Sequence, residues 1–397
     1  MGRTDVTGVS TENVYALCDV DWKQGGDALV SFPRAKRYRD YREMLAKEAN
    51  NIDAVTISTP DHTHALIAVA ALRAGKHVYC QKPLARTVGE VRAMMAESAR
   101  RPRQATQMGN QGHAGDGTRQ IREWYEAGVL GKVREVHYWT NRPIWPQAID
   151  RPTELHVPPP TLNWDLWLGP APERPYHPAY LPFRWRGWWD FGTGALGDIA
   201  CHAMDAAFWT LGFKYPSRVE PESTPVFPET APRSSRITYT FPARGSRPEV
   251  KIVWRDGSLL PPRPRGDGVL NMAWPPIEDG GQLWIGDNGQ QLVAGMYGQN
   301  PRLVDEARNE QLKKDPVRQK YPRVQSVYQE WIDACKAGKQ AGSSFAEHAG
   351  PLTIMVLLGN LAVRTGKVLD VDPESGEVAT SVPAEYVTPV YRKGWGF

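Results

Sequence analysis

Cysteine is scarce in this chain and does not cluster. Cys18, Cys80, Cys201 and Cys335 are the only four in 397 residues, and no two form a C-x-x-C pair. That argues against a disulfide framework or a structural zinc site and leaves four small hydrophobes expected in the interior. Long apolar runs are missing as well. The longest stretches, such as Leu66 to Leu72, fall far short of a bilayer span, so no membrane partner is expected. An excess of one charge is also absent. Lys and Arg total 48 against 44 Asp and Glu, and the net +4 is spread out. No basic tract tracks nucleic acid. No leader pattern opens the chain, which sets the expectation of a cytoplasmic protein, with export possible if a signal lies upstream.

One further absence carries more information. The segment from Asn13 to Asp21 reads as a buried strand that ends in an acid, Asp19. In dinucleotide-binding folds such an acid follows a glycine-rich turn by about 20 residues. Here only Gly2-Arg3 stands in that place. The expectation is a chain cut through that turn, with the first strand and the earlier glycines upstream of Met1. In the usual strand order the missing strand lies between the second and the fourth. Two central strands would then face a gap with unpaired backbone groups.

Tryptophan, by contrast, is plentiful. There are 15, of which seven fall between Trp139 and Trp189. Indole faces suit the apolar C–H faces of sugar rings. They are equally at home in a core or a subunit interface, and both readings stay open here.

The first third alternates short β-branched strands ("NVYALCDV", "DAVTIST", "HVYCQKP", "QATQMGN") with helical patterns such as "HTHALIAVAALRAG". This predicts βαβ units and a parallel sheet. Beyond Gly131 the texture changes. "KVREVHYWTN" alternates like a half-exposed strand, and a Pro- and Trp-rich stretch follows from Pro143 to Pro182. "GTGALGDIACHAMDAAFWTLG" reads as a helix. "RITYTFP", "EVKIVWRDG" and "GQLWIGDNGQQLVAG" read as antiparallel strands. The expected fold is α/β: a Rossmann-like doubly wound sheet over residues 1–118, then an α+β domain over 119–397. The second domain carries a large open, mostly antiparallel sheet and a C-terminal helix at 346–366.

Three constellations carry chemistry. In "STPDHTHALIAVAALRAGKHVYCQKPL", Thr59-Pro60 ends one parallel strand and Lys82 ends the next, where such sheets bind ligands. Asp61, His62 and Thr63 open the helix between them. A lysine there is either a solvated strand end or an ammonium that stabilises a reacting hydroxyl. Asp198 and His202 stand four apart on one helix face. They are either a carboxylate with a general base or a structural pair. "QMGNQGH" places Asn110, Gln111 and His113 at the same sheet edge, unless it is simply a polar turn. Metal ligation by His62, His64, His113, Asp198 and His202 is not enforced by any spacing, and no metal is expected.

Together these segments resemble the Gfo/Idh/MocA family of NAD(P)-dependent oxidoreductases, over nearly the whole chain. "TPDHTHALIAVAALRAGKHVYCQKP" is similar to the family's strand-helix-strand ending in Glu-Lys-Pro, with Gln81 in place of the Glu. "GALGDIACHAMD" is similar to its Asp-x-x-x-His segment. The resemblance implies that Lys82 and His202 flank the reacting carbon and that Asp198 supports the substrate. It implies a dinucleotide held by Gly2, Arg3, Asp19, Thr59, Pro60, Asp61, His64, Gln81, Lys82 and Asn110. NAD is expected over NADP because a carboxylate at Asp19 repels a 2′-phosphate. Trp145, Trp185, Arg186, Trp188 and His113 are candidates for the substrate pocket, and a homo-oligomer (dimer or tetramer) through the open sheet is expected. The implied activity is hydride transfer at a hydroxyl carbon of a sugar, glycoside or cyclitol. Two alternatives stand beside it: glycoside cleavage through transient oxidation and elimination, and a non-catalytic sugar-binding or scaffold protein without its nucleotide loop.

Overall fold

The computed structural model of the chain describes residues 1–264 and 279–397. Its first part runs α1 (Gly2–Gly8), β1 (Ala16–Cys18), α2 (Gly26–Ser31), β2 (Lys36–Tyr38), α3 (Tyr41–Glu48), β3 (Ala54–Ile57), α4 (Asp61–Arg73), β4 (His77–Cys80), α5 (Val88–Ala99) and β5 (Thr106–Met108). Local chemistry sets the helix starts. The Asp40 side chain accepts from the Arg42 amide at the head of α3. Thr87 and Glu90 form a reciprocal capping box at the head of α5, which satisfies amides that have no partner inside the helix.

All strand pairs here are parallel, as the alternation predicts, but they form two separate sheets: β1 with β2, and β3-β4-β5. The buried strand expected over 13–21 is corrected to three half-buried residues, Ala16–Cys18. The physical reason is that β1 pairs on one side only, with β2. In the second sheet Val78, Tyr79 and Cys80 on β4 are fully buried. Strand β4 is the middle strand and carries the run toward Lys82.

The second part follows: α6 (Asp116–Glu126), β6 (Val133–Thr140), α7 (Trp164–Leu168), α8 (Gly194–Ala203), α9 (Asp205–Thr210), β7 (Arg218–Ser223), β8 (Ser235–Phe241), β9 (Val250–Arg255), β10 (Gly280–Gly286), β11 (Gln291–Gly295), β12 (Arg302–Leu303), α10 (Glu306–Lys314), α11 (Val327–Ala337), α12 (Gly350–Thr365), β13 (Leu369–Asp370) and α13 (Ala384–Val387). Eight strands form one sheet in the order β12-β11-β10-β6-β9-β8-β7-β13. Every pair is antiparallel except β6 with β9. Alternation decides its faces. On β8, Ile237, Tyr239 and Phe241 are buried, while Arg236 is exposed and Thr238 and Thr240 are half-buried.

The helices tie the two parts together. Trp331 and Val327 of α11 pack on Tyr79 and Ala105 beside the β3-β4-β5 sheet. Helix α12 packs on α5, α8 and β7 at once. With the single π-type turn Phe345–Ala349 before it, α12 makes a 21-residue apolar helix. It is the one helix among the described residues long and apolar enough to cross a bilayer, yet 89% of its most apolar window is buried inside the fold. The single helix expected around Asp198 is corrected to two, α8 and α9, joined at Met204. The turn there re-aims Asp205 away from Asp198.

Candidate active site

Strand β4 delivers Lys82 to the boundary between the two parts, where its side chain is almost wholly buried. Its ammonium donates to the Asp198 backbone carbonyl at 2.7 Å and to the Asp198 carboxylate at 2.9 Å. The same carboxylate oxygen accepts from Arg186 Nε at 3.0 Å. Two glycines make this approach possible. Gly194 opens α8 with φ +65, and a Cβ on Gly192 would lie 2.7 Å from the Arg186 backbone. Only glycine accepts that conformation or that contact without strain. Burial alone would raise the Asp198 carboxyl, but the Lys82 and Arg186 charges hold it down at about 2.

His202 lies one turn further along α8 and is 4% exposed. Burial and the nearby Lys82 ammonium lower its pKa to about 3, so the imidazole is neutral at ordinary pH. Its Nδ1 is buried without a hydrogen-bond partner, and the Tyr297 ring lies 4.7 Å from it, centroid to centroid. The carboxylate four residues back is engaged by Lys82 and Arg186 rather than by this ring.

Asp61 heads α4 behind this group and is 2% exposed. It accepts from Thr193 Oγ1 at 2.8 Å, while its other oxygen has no partner. Burial, then the Asp198 charge, raises its pKa to about 7. His64 lies between the carbonyls of Thr59 (2.8 Å) and Pro83 (2.9 Å), which ties the ends of β3 and β4 together. His62 packs between Trp167 and Phe191.

A second buried acid draws Asn110 and His113 to itself. Asp205 accepts from Asn110 Nδ2 at 3.0 Å, from His113 Nδ1 at 3.0 Å and from His348 Nε2 at 2.5 Å. Burial alone would raise its carboxyl, but the two imidazoles hold it well below the ordinary range. His113 is pushed up by this carboxylate against the effect of burial, and His348 is pushed down by burial and by His113. Among the described residues, His113, Asp205 and His348 are the set whose ligand atoms approach closely enough for one cation, within 4.8 Å. It is not the set weighed from sequence, and as it stands each nitrogen is a direct hydrogen-bond partner of the acid.

At the sheet edge that faces a dinucleotide in such folds, Gly2 lies beside Ser58 at the end of β3. Arg3 pairs with Asp27, both exposed. Asp19 ends β1, accepts from the Asp21 amide at 2.8 Å and is raised to about 6 by burial and by Asp21. Gln81 donates to Asp5 at 2.8 Å, a residue not singled out from the sequence. Asp5 is fully buried and also accepts from Ser58 (2.5 Å) and Tyr328 (2.8 Å). Gln81 Oε1 and Asn110 Oδ1 remain buried acceptors without partners.

The aromatic candidates divide. Arg186 lies over Trp185 (4.3 Å) and Phe183 (4.2 Å), with Trp145 further off at 5.9 Å, so Trp145 and Trp185 flank the acid–cation group. Trp188 is corrected to a core residue. It is fully buried in the cluster with Tyr180 and Phe191, and its indole N–H donates to the Ala179 carbonyl at 3.0 Å. Trp164 and Trp167 stack on each other at 5.0 Å. Packing, not exposure, accounts for much of the tryptophan excess.

Residues 5–109 match an oxidoreductase family described by its NAD-binding Rossmann fold, and residues 121–248 match the C-terminal alpha/beta domain of the same oxidoreductases. An inositol 2-dehydrogenase of Salmonella typhimurium is 30% identical over 130 residues, covering 32% of this chain and 38% of that protein. A levoglucosan dehydrogenase of Pseudarthrobacter phenanthrenivorans is 28% identical over 173 residues, covering 44% of this chain and 36% of that protein. The chain thus spans less than half the length of these curated relatives in the matched segments. In three dimensions it is similar to the WlbA dehydrogenase from Bordetella pertussis, solved with NADH and UDP-GlcNAcA. The TM-score is 0.62 at 16% identity, covering 94% of this chain and 95% of that one. At that identity the likeness speaks for the fold.

Proposed function

The chain belongs to the Gfo/Idh/MocA oxidoreductase family, and on that premise we propose that it transfers hydride between NAD and a hydroxyl carbon of a sugar, glycoside or cyclitol. Residues 1–118 hold the dinucleotide and residues 119–397 supply the substrate side. The observation that carries the proposal is the reach of Lys82 from the end of β4 to Asp198 on α8, beside a neutral, buried His202.

The residues present fit a dinucleotide. The unpaired acceptors Gln81 Oε1 and Asn110 Oδ1 match the N–H groups of a carboxamide. The Asp19 carboxylate accepts from the Asp21 backbone amide; it would also accept from ribose hydroxyls and repel a 2′-phosphate. Bound there, NAD supplies a hydride acceptor for the carbinol carbon. The chain does the rest. Lys82 keeps its ammonium against Asp198 and has a further proton to donate to the substrate oxygen, which stabilises charge as the hydroxyl ionises. His202, neutral at the outset, accepts the hydroxyl proton. Arg186 holds the Asp198 carboxylate in place, and Trp145 and Trp185 wall the pocket with apolar faces suited to a sugar ring. Association of copies through the open sheet and a cytoplasmic setting belong to the same proposal.

The test is NADH formation at 340 nm against a panel of inositols, aldoses, anhydrosugars and glycosides. Turnover of at least one of them, lost in His202→Ala, is the expected result. NAD binding with no turnover across the panel, unchanged by Lys82→Ala, would overturn the reading.

A further inference from the structure

A second polar pocket, separate from the Lys82–Asp198 group, opens where α5, the Trp189–Thr193 segment and α12 meet. About 350 Å³ of space, part of it open to solvent, lies among its lining atoms, which belong to Arg86, Trp189, Thr193, Asn360, Arg364 and Tyr386, among others. Its donors exceed its acceptors. Arg86 donates one nitrogen to the Trp189 carbonyl at 2.9 Å, but its Nε is buried without a partner. Trp189 is 4% exposed, and its indole N–H has no partner either. Arg364 lies over the Tyr386 ring at 3.8 Å and the Trp189 ring at 5.0 Å. Among the described residues no carboxylate forms an ion pair with it.

The nearby acids are already engaged. Asp190 is held by Arg174 and lies 3.8 Å from Arg86. Glu229 pairs with Arg174 and Arg151. Glu90 caps α5 and accepts from Tyr391. Asp190 is also the acid whose charge acts on Arg364, from beyond ion-pair distance. A half-buried guanidinium with no carboxylate at ion-pair distance stands next to two buried N–H groups without partners, a set of donors that one anion could satisfy.

We propose that this pocket binds a small oxyanion that joins Arg86 to Arg364 with the Trp189 indole N–H as a third donor. The position gives such an anion leverage on the active site. Arg86 follows Lys82 on the loop from β4 to α5. Trp189 and Thr193 lead directly into α8, where Asn360 of α12 donates to the Thr193 carbonyl at 2.8 Å. The anion would brace the two segments that present Lys82 and Asp198.

The pocket needs neither dinucleotide nor substrate, so its test is independent of the proposed reaction. The full chain is titrated with inorganic phosphate by calorimetry at fixed ionic strength, and its Tm is followed in parallel, with sulfate and acetate as further probes. Saturable binding of at least one probe to a single site is expected, with a Tm that rises as that probe saturates. Arg364→Met should abolish the binding. Trp189→Phe, which keeps the ring and removes the N–H, should weaken it about tenfold, the usual scale of one lost charge-assisted hydrogen bond. If Arg364→Met does not fold by circular dichroism, Trp189→Phe and Arg86→Lys decide the matter. The absence of saturable binding by the wild-type chain, or identical titrations in wild type and folded variants, would overturn the proposal.

Discussion

Asp198 and Asp205 are two buried acids on consecutive helices, and each is clasped from two sides. Asp198 is held by the Lys82 ammonium and the Arg186 guanidinium. Asp205 is held by two imidazoles and an amide. Two other acids extend the series. Asp61 has a hydroxyl donor and an unpaired oxygen, and half-buried Asp19 has a backbone amide. The partners determine what each acid can do. Two cations hold the Asp198 carboxyl down and leave an ammonium proton for a ligand. Imidazoles close Asp205 into a finished network that locks Asn110 and His113 in place. A lone hydroxyl donor does not offset burial and the Asp198 charge, which raise the Asp61 pKa to about 7. A backbone partner leaves Asp19 open to a ligand.

The sharpest test of this contrast is at the first acid's helix. His202→Ala should lower turnover by about 10²–10⁴-fold, with NAD affinity, followed by tryptophan fluorescence, close to wild type. Full turnover would remove the base from His202 and make α8 merely structural. The second acid should respond in stability instead. Asp205→Ala strands His113, His348 and Asn110 in the interior, at a cost of about 3–5 kcal/mol, read as a lower urea midpoint. A midpoint within error of wild type would show that the network contributes nothing to folding.

Asp61 yields a pH-dependent prediction. Its folded pKa is raised to about 7 from an unfolded value near 3.9. Between these values the folded chain binds more protons than the unfolded one, so this group's contribution falls as pH rises and is lowest above 7. Asp61→Asn should therefore be more stable than wild type at pH 8 by about 4 kcal/mol, with the gap closing as pH falls toward 4. A gap independent of pH would mean that Asp61 does not titrate as its burial implies. The smallest effect belongs to the open acid. Asp19→Ser should narrow the preference for NAD over NADP by roughly tenfold, about 1.4 kcal/mol. An unchanged ratio of dissociation constants would place the ribose elsewhere.

Much of this arrangement could be read from the sequence where the signal is local. Alternating strands and helices mark the parallel sheets, and the end of β4 marks Lys82. The i, i+4 spacing marks Asp198 and His202, because a helix turns neighbours in sequence into neighbours in space. What escaped depends on distant pairing. The contact of Asp5 with Tyr328 spans 323 positions, and that of Asp205 with His348 spans 143. No periodicity relates such residues. Trp188 shows the same limit from the other side. Its composition suits a sugar platform, but only the Ala179 carbonyl and the surrounding rings reveal that it is interior. Arg186 was expected to meet the substrate, and its grip on Asp198 became visible only once Gly192 and Gly194 were seen to bring the two segments together.

Helix α12 touches α5, α8 and β7, elements whose codons all precede its own. During synthesis at roughly 5–20 residues per second, the apolar flank of α5 is therefore bare for on the order of ten to fifty seconds before its cover leaves the ribosome. The two halves of the molecule cannot mature one after the other. Their shared keystone arrives after both of the halves it joins, so the packing between them closes only once α12 has been made.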